Sequence, residues 1–273
     1  MFRTRLGIAL LALCSPLMAA SGNFHFGKVK FEPVDTFAYQ IDTKDPGKPM
    51  TVVVLTSFKI DKPAAIEAID PAGNIIGQTG EKGSAVIVRL VAPDKCGLSG
   101  YLAPTAKQID LGESFTAKTT VSNATRISGE CATTKPEKMF DDAYDFRLPY
   151  DVALTPIVKP TPVPADGGDP GKAYVALVKA IQSSDWNVAH LHLSKEQMPD
   201  PKPKADDLKN YFEGLALNYP KTAKVTAGLM KGNFANIEIH GTDHDGKKIK
   251  GYVAMKKVSG QWAVLDQSLY FDQ

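Results

Sequence analysis

The sequence predicts an α+β protein built from two parts, a β-rich, sandwich-like domain and a smaller domain of three helices and four antiparallel strands. Residues 23–156 hold short alternating or β-branched runs that are typical of strands, whereas apolar side chains recur at helical spacing after residue 171. Between them, residues 157–171 contain four prolines and three glycines, which indicates an extended linker. We therefore expect domains at 23–156 and 172–273.

The first 22 residues have the organisation of a cleavable secretory signal. Arg3 and Arg5 precede an uncharged apolar run, which ends in the small residues 19–22 that a signal peptidase requires. The run is shorter than the roughly 20 residues that cross a bilayer. We expect residues 1–22 to be removed, leaving a soluble periplasmic or secreted protein. A buried N-terminal helix is the alternative, and the sequence leaves open whether Cys14 is lipidated.

The charge balance argues against a nucleic-acid partner. Loss of Arg3 and Arg5 with the signal lowers the number of basic side chains from 32 to 30, equal to the 30 acidic ones. A chain without net charge lacks the basic surface of proteins that bind nucleic acids.

Cys96 and Cys131 are the cysteines that remain after signal removal. An even count in an exported protein predicts a disulfide. The bond would close a loop of 35 residues, which the chain-entropy model values at about 3–4 kcal/mol. Two unpaired buried thiols are the alternative. We expect no metal site here, because no histidine is close to either cysteine in the sequence.

Strands dominate the prediction for the first domain, with one helix over residues 64–69. That helix follows Asp61 and Pro63, which suit its start, and Asp70-Pro71 ends it. The predicted strands are residues 28–31, 37–40, 50–55, 85–91, 115–121 and 143–148.

Three helices and then four strands are predicted for the second domain. The sequence switches to a period of two after Pro220, with turns at Asp245-Gly246 and Ser259-Gly260. A sheet covered by helices follows from this order. The apolar helical stripes are Tyr174, Leu177, Val178 and Ile181; Trp186, Ala189, His190 and Leu193; and Leu208, Tyr211, Phe212 and Leu215.

Two stretches of the second domain carry a family resemblance, GKAYVALVKAIQSSDW at residues 171–186 and KGYVAMKKVSGQWAVLDQS at residues 250–268. They resemble the nuclear transport factor 2-like superfamily, the cystatin-like α+β roll, and the resemblance covers residues 170–273. It implies a curved sheet wrapped on helices around a cone-shaped pocket, and a homodimer through the sheet of the roll is one arrangement it implies. Fold analogy cannot choose among the enzymes and binding proteins of that superfamily.

Trp186, His190, Tyr211 and Asp266 are the candidate pocket residues. His190 shares the stripe of Trp186, so it could face a pocket and act as an acid or base. The alternative for His190 is a core-edge histidine bonded to a backbone carbonyl, and for Asp266 an exposed strand residue. We assign no catalytic residue, metal ligand or cofactor, because no nucleophile elbow, phosphate loop or zinc-protease pattern occurs in the sequence.

The leading functional hypothesis is a non-catalytic binding or protein-interaction protein of the bacterial cell envelope, with an inhibitor or immunity protein as one form. The alternative is an enzyme, or a carrier of a small apolar ligand, that uses a pocket in the second domain. An open apolar pocket with converging polar groups would favour the alternative. An interior filled by Trp186, Tyr211 and Phe212 would favour the interaction protein. The sequence leaves open the partner, the topology of the first domain and the oligomeric state.

Overall fold

A computed structural model describes residues 22–43, 49–80, 82–103, 105–195, 197–199 and 203–272. The predicted signal peptide, apart from Gly22, lies outside the described residues, and so does Cys14. The described part of the protein is mostly β, with 48% of the described residues in strands and 19% in helices. The predicted α+β class is therefore wrong, because the strands are longer and more numerous than the sequence runs indicated.

The chain divides into two compact units, and the division is not strictly sequential. The first unit holds the described residues up to Asp61 and then Ile75–Pro156, and the second holds Lys62–Asn74 and Ile157–Gln273. A short helical segment from the first half of the sequence thus belongs to the second unit.

The first unit is one curled antiparallel sheet of eleven strands. Its order is β2-β1-β11-β9-β8-β6-β5-β4-β3, with β7 beside β6 and β10 beside β11. The strands are β1 (Asn23–Phe26), β2 (Val29–Lys30), β3 (Asp35–Ile41), β4 (Met50–Thr56), β5 (Ala85–Ala92), β6 (Lys95–Leu102), β7 (Lys107–Asp110), β8 (Phe115–Ser122), β9 (Arg126–Ala132), β10 (Glu137–Met139) and β11 (Asp142–Ala153).

Curling brings β3, at one end of this sheet, against the end of β11. Ala38 in β3 forms a parallel bridge with Leu154, just after β11, and the Thr155 N–H donates to the Ala38 oxygen at 2.8 Å. The sheet thereby covers its own inner face as a half-barrel. The sandwich-like prediction was wrong. Strands have the same alternating sequence pattern whether their buried face packs against a second sheet or against another part of the same curled sheet.

The first core fills the inner face of the curled sheet. A disulfide joins Cys96 in β6 to Cys131 in β9, and both residues are fully buried. The bond that the cysteine count predicted is therefore present, and it links two strands that both pair with β8.

The second unit contains four of the described helices and the first part of a fifth, α2, which runs across the unit boundary. Its sheet has five antiparallel strands in the order β12-β13-β14-β15-β16. The helices of the chain are α1 (Lys62–Glu67), α2 (Pro71–Gly77), α3 (Gly168–Gln182), α4 (Trp186–His192) and α5 (Ala205–Ala216), and the strands of this sheet are β12 (Thr161–Pro162), β13 (Thr222–Lys231), β14 (Phe234–Thr242), β15 (Lys248–Val258) and β16 (Gln261–Phe271).

The predicted roll of three helices on four strands is wrong for two reasons. Thr161–Pro162 of the expected linker pairs with Leu229 and Met230 as a fifth, edge strand, a position that tolerates proline. In addition, the segment containing α1 contributes to this unit, where Lys231 is buried and donates from Nζ to the Ala68 oxygen at 2.7 Å. Both contacts join residues far apart in sequence.

Candidate functional site

Three of the four candidate pocket residues form one aromatic cluster at the edge of the second core. Asp185 caps α4 by accepting from the Asn187 N–H, which fixes the start of the helix at Trp186. One turn later the His190 ring stacks on Trp186, with centroids 5.9 Å apart and planes at 14°. Tyr211 from α5 meets Trp186 edge-on at 5.8 Å. All three side chains are half-buried.

The polar atoms of this cluster are held by backbone carbonyls. His190 Nδ1 lies 2.8 Å from the Trp186 oxygen, so a protonated Nδ1 donates to that carbonyl. The Tyr211 hydroxyl donates to the Gln197 oxygen at 3.0 Å, and burial raises the pKa of this phenol. These bonds favour the core-edge role for His190 over an acid–base role.

The space between the helices and the five-stranded sheet is filled by side chains. Tyr174 and Phe212 from the helices and Ile237, Val253 and Trp262 from the sheet belong to one buried cluster, and each is at most 5% exposed. Of the three residues whose burial would favour an interaction protein, Phe212 lies in this interior, whereas Trp186 and Tyr211 pack against it half-buried.

Asp266 lies elsewhere, in a cleft of about 610 Å³ at one end of the sheet. The end of α5, the hairpin between β14 and β15, and the last residues of β16 form its walls. Its apolar lining is Leu215, Leu217, Ile249, Leu269, Tyr270 and Phe271, and its polar lining includes Gln197, Asn218, Asp243, His244, Asp266 and Gln267.

A chain of hydrogen bonds fixes the polar floor of the cleft. The buried Tyr174 hydroxyl donates to Gln267 Oε1 at 2.9 Å, and Gln267 Nε2 donates to the Asn218 oxygen at 2.6 Å. Tyr219 donates to Gln197 Oε1 at 3.3 Å. Burial raises the pKa values of both tyrosines, so both phenols stay protonated and remain donors.

Two carboxylates of the cleft have no cationic partner among the residues that the structure describes. Asp243 Oδ1 accepts the Lys247 N–H at 2.8 Å, and Asp266 Oδ1 accepts the Gln267 N–H at 2.8 Å. Neither of them forms an ion pair within the described part of the chain, so both carboxylates are open to a cationic group of a ligand.

Two nearby lysines, Lys247 and Lys250, are already engaged. Lys247 pairs with Asp245 at 3.8 Å and lies over the Phe271 ring at 5.7 Å. Lys250 pairs with Asp272 at 2.8 Å, and this carboxylate raises the pKa of Lys250. The unpaired charge of the cleft is therefore negative.

The lips of the cleft are apolar and exposed. Leu217 is 86% exposed, Phe271 is 60% exposed and Tyr270 is 41% exposed. Clustered exposed apolar residues of this kind mark interaction sites. Sequence reasoning missed Leu217 and Phe271, although both fall at the ends of their elements, where an apolar residue has no core to cover it.

The first unit contains a larger cleft, of about 970 Å³, at one end of its curled sheet. Met50, Leu90, Val91 and Ile127 are among its lining residues, and Glu113 is the one charged residue among the described residues that line it. Because its large apolar residues are less exposed than Leu217 and Phe271, with Val91 at 37%, we place the candidate site in the second unit.

Within the described ranges, no three His, Cys, Asp or Glu residues are grouped so as to hold a metal ion. None of the described helices combines the length and apolar character needed to cross a bilayer. Comparison of the chain with family models, with curated proteins and with solved structures found no match. The resemblance to the nuclear transport factor 2-like superfamily stays a prediction.

Proposed function

We propose that this protein is an exported, non-catalytic binding protein of the bacterial cell envelope, and that its partner is another protein. The observation that carries the proposal is the cleft of the second unit with its exposed apolar lips, Leu217 and Phe271. The buried Cys96–Cys131 disulfide supports an oxidising compartment, either the periplasm or the exterior.

Exposure of the lips favours a macromolecular partner. Fully burying a Leu or Phe side chain contributes about 1.5–3 kcal/mol, and a ligand held only inside the cleft would leave these side chains in water. A protein surface can cover the cleft and both lips together. An inhibitor or immunity protein would use its surface in this way, as would an adaptor.

Separation of the titratable candidates argues against catalysis in this unit. His190 belongs to the aromatic cluster and is bonded to a carbonyl, whereas Asp266 lies in the cleft. A general acid or base must lie within hydrogen-bond reach, about 3 Å, of the substrate atom that it serves, and His190 does not line the cleft that contains Asp266.

A carrier of a small apolar ligand is the second candidate, because 610 Å³ falls within the roughly 300–1,000 Å³ of small-molecule sites. Titration of the mature chain with an apolar fluorescent probe separates the two functions. Saturable binding that Leu269→Asp abolishes, in a variant that keeps its circular dichroism, would favour the carrier.

The test of the protein partner is site-specific photocrosslinking in cells of the source species. A photoreactive residue at position 217 or 271 should give the same protein adduct, and Leu217→Asp should remove the adduct formed from position 271. Val258, 47% exposed and not part of the cleft lining, is the matched control. Equal adducts at position 258, or none at 217 and 271, would contradict the proposal. N-terminal sequencing of the exported chain should begin between residues 20 and 24.

A further inference from the structure

We propose that the cleft binds an extended segment of the partner protein, and that this segment adds as a strand to the open edge of β16. The inference rests on the proposed function and names the chemistry of its partner. It follows from three features of the same place in the fold: an unpaired strand edge, an apolar cleft beside it, and unpaired negative charge.

β16 is the last strand of its sheet, and only its first half is covered along the outer edge. There, Leu193 forms a parallel bridge with Val264, and His192 Nδ1 lies 2.8 Å from the Trp262 oxygen. An extended piece of this chain therefore already sits against the edge. From Leu265 to Phe271, no other described strand pairs with that side of β16.

Hydrogen bonding shows which amide groups face outward. The Asp272 N–H donates to the Lys248 oxygen at 3.0 Å, so the backbone N–H of Asp272 points toward β15. Because antiparallel residues alternate, the N–H groups of Gln267, Leu269 and Phe271 point away from β15. The Asp266 carboxylate accepts a hydrogen bond from the N–H of Gln267. The N–H groups of Leu269 and Phe271 have no acceptor among the described residues.

The cleft lies beside this edge and can receive side chains. Leu269 and Phe271 of β16 contribute to its lining, and so does Leu217, the residue after α5. In an extended peptide every second side chain points the same way. A segment paired to the edge would place alternate residues in the cleft, which is how strand addition combines main-chain affinity with side-chain specificity.

Charge selects the kind of segment and argues against a second copy of this chain. Asp243 and Asp266 are unpaired within the described chain, whereas Lys247 and Lys250 are paired with other carboxylates. A Lys or Arg among the apolar residues would complement the cleft. A second copy joined edge to edge would bring residues 265–271, which contain Asp266 and no Lys or Arg, and a charged edge residue is a common protection against such pairing.

Selection from a displayed library of random peptides against the mature protein tests the inference. Enriched peptides should alternate apolar residues and carry Lys or Arg. Bound peptide should slow hydrogen exchange at the Leu269 and Phe271 amides by roughly tenfold or more. Leu217→Asp should weaken binding by more than about tenfold, and Asp266→Asn by a smaller factor, because each removes one complementary contact. Val258→Asp is the matched control and should bind as the wild type does.

Three results would overturn the inference. Selected peptides could bind while the two amides stay unprotected, or enrichment could favour acidic or non-alternating peptides. Sedimentation could instead show a dimer that Leu217→Asp converts to a monomer, which would identify a second copy as the occupant. A protein adduct from positions 217 and 271 without edge protection would leave the binding function standing, whereas absence of both would remove both proposals.

Discussion

Replacing Cys96 and Cys131 together with alanine should destabilise the first unit strongly. The disulfide joins residues 35 apart, and the chain-entropy relation gives about 4 kcal/mol for a loop of that length at 25 °C. Both cysteines are fully buried in the first core, so loss of their sulfur atoms also removes packing contacts. The loss is comparable to much of the stability of a typical domain, about 5–15 kcal/mol.

Urea unfolding followed by two signals measures this loss unit by unit. The protein has two tryptophans, Trp186 and Trp262, and both belong to the second unit. Far-UV circular dichroism follows both sheets, whereas tryptophan fluorescence follows the second unit. With m-values of about 1–3 kcal/mol per molar urea, the dichroism midpoint of the first unit should fall by roughly 1–4 M. The fluorescence midpoint should stay in place.

The wild type under reducing conditions is the control, since it opens the bond without changing the sequence. Equal dichroism midpoints for the oxidised wild type and the alanine variant would refute the loop-entropy argument. A fluorescence transition that moves by the same amount would show instead that the two units unfold together.

Four further changes test particular contacts. Gly129→Ala should cost about 1–3 kcal/mol in chemical unfolding, because its Cβ would lie 2.4 Å from the Lys118 backbone oxygen. Gly214→Ala, inside α5 and with nothing within 4 Å of the new Cβ, should instead stabilise by up to about 1 kcal/mol, and destabilisation there would contradict the packing argument. Burial, together with a hydrogen bond to a glutamate, raises the pKa of Tyr144 to about 12. Unfolded tyrosine ionises near 10, so stability should be full below pH 10 and fall as the pH rises to 12. Tyr144→Phe should flatten that fall in pH-dependent melting, and an unchanged slope would argue against it. Trp186→Ala should lower the free energy of unfolding, measured by circular dichroism, by about 2–3 kcal/mol, which is less than the ~3–5 kcal/mol for a fully buried Trp. A variant that melts at the same temperature as the wild type would reopen the carrier and enzyme alternatives.

Local patterns in the sequence predicted local structure. Helices lie at Gly168–Gln182, Trp186–His192 and Ala205–Ala216, where apolar residues recur at helical spacing. The disulfide followed from the cysteine count. These features depend on neighbours a few residues away, or on a pairing with no competitor, so one sequence is enough to predict them.

The sequence did not predict which strands pair with each other. β11 lies between β1 and β9, and the sheet curls until Ala38 meets Leu154. A period of two specifies that one face of a strand is buried, but not which surface buries it. The sandwich prediction failed for that reason, and the linker prediction missed the pairing of Thr161–Pro162 with β13.

The candidate site was divided by tertiary structure. Trp186 and His190 share the stripe of one helix and Tyr211 lies on the stripe of another, and the tertiary structure brings the three rings together. Asp266 lies in the cleft instead, because its surroundings depend on where α5 ends and on how far β16 extends beyond Asp266. The sequence by itself determined which residues prefer to be buried. The tertiary structure decided which apolar residues, Leu217 and Phe271 above all, were left without a core to bury them.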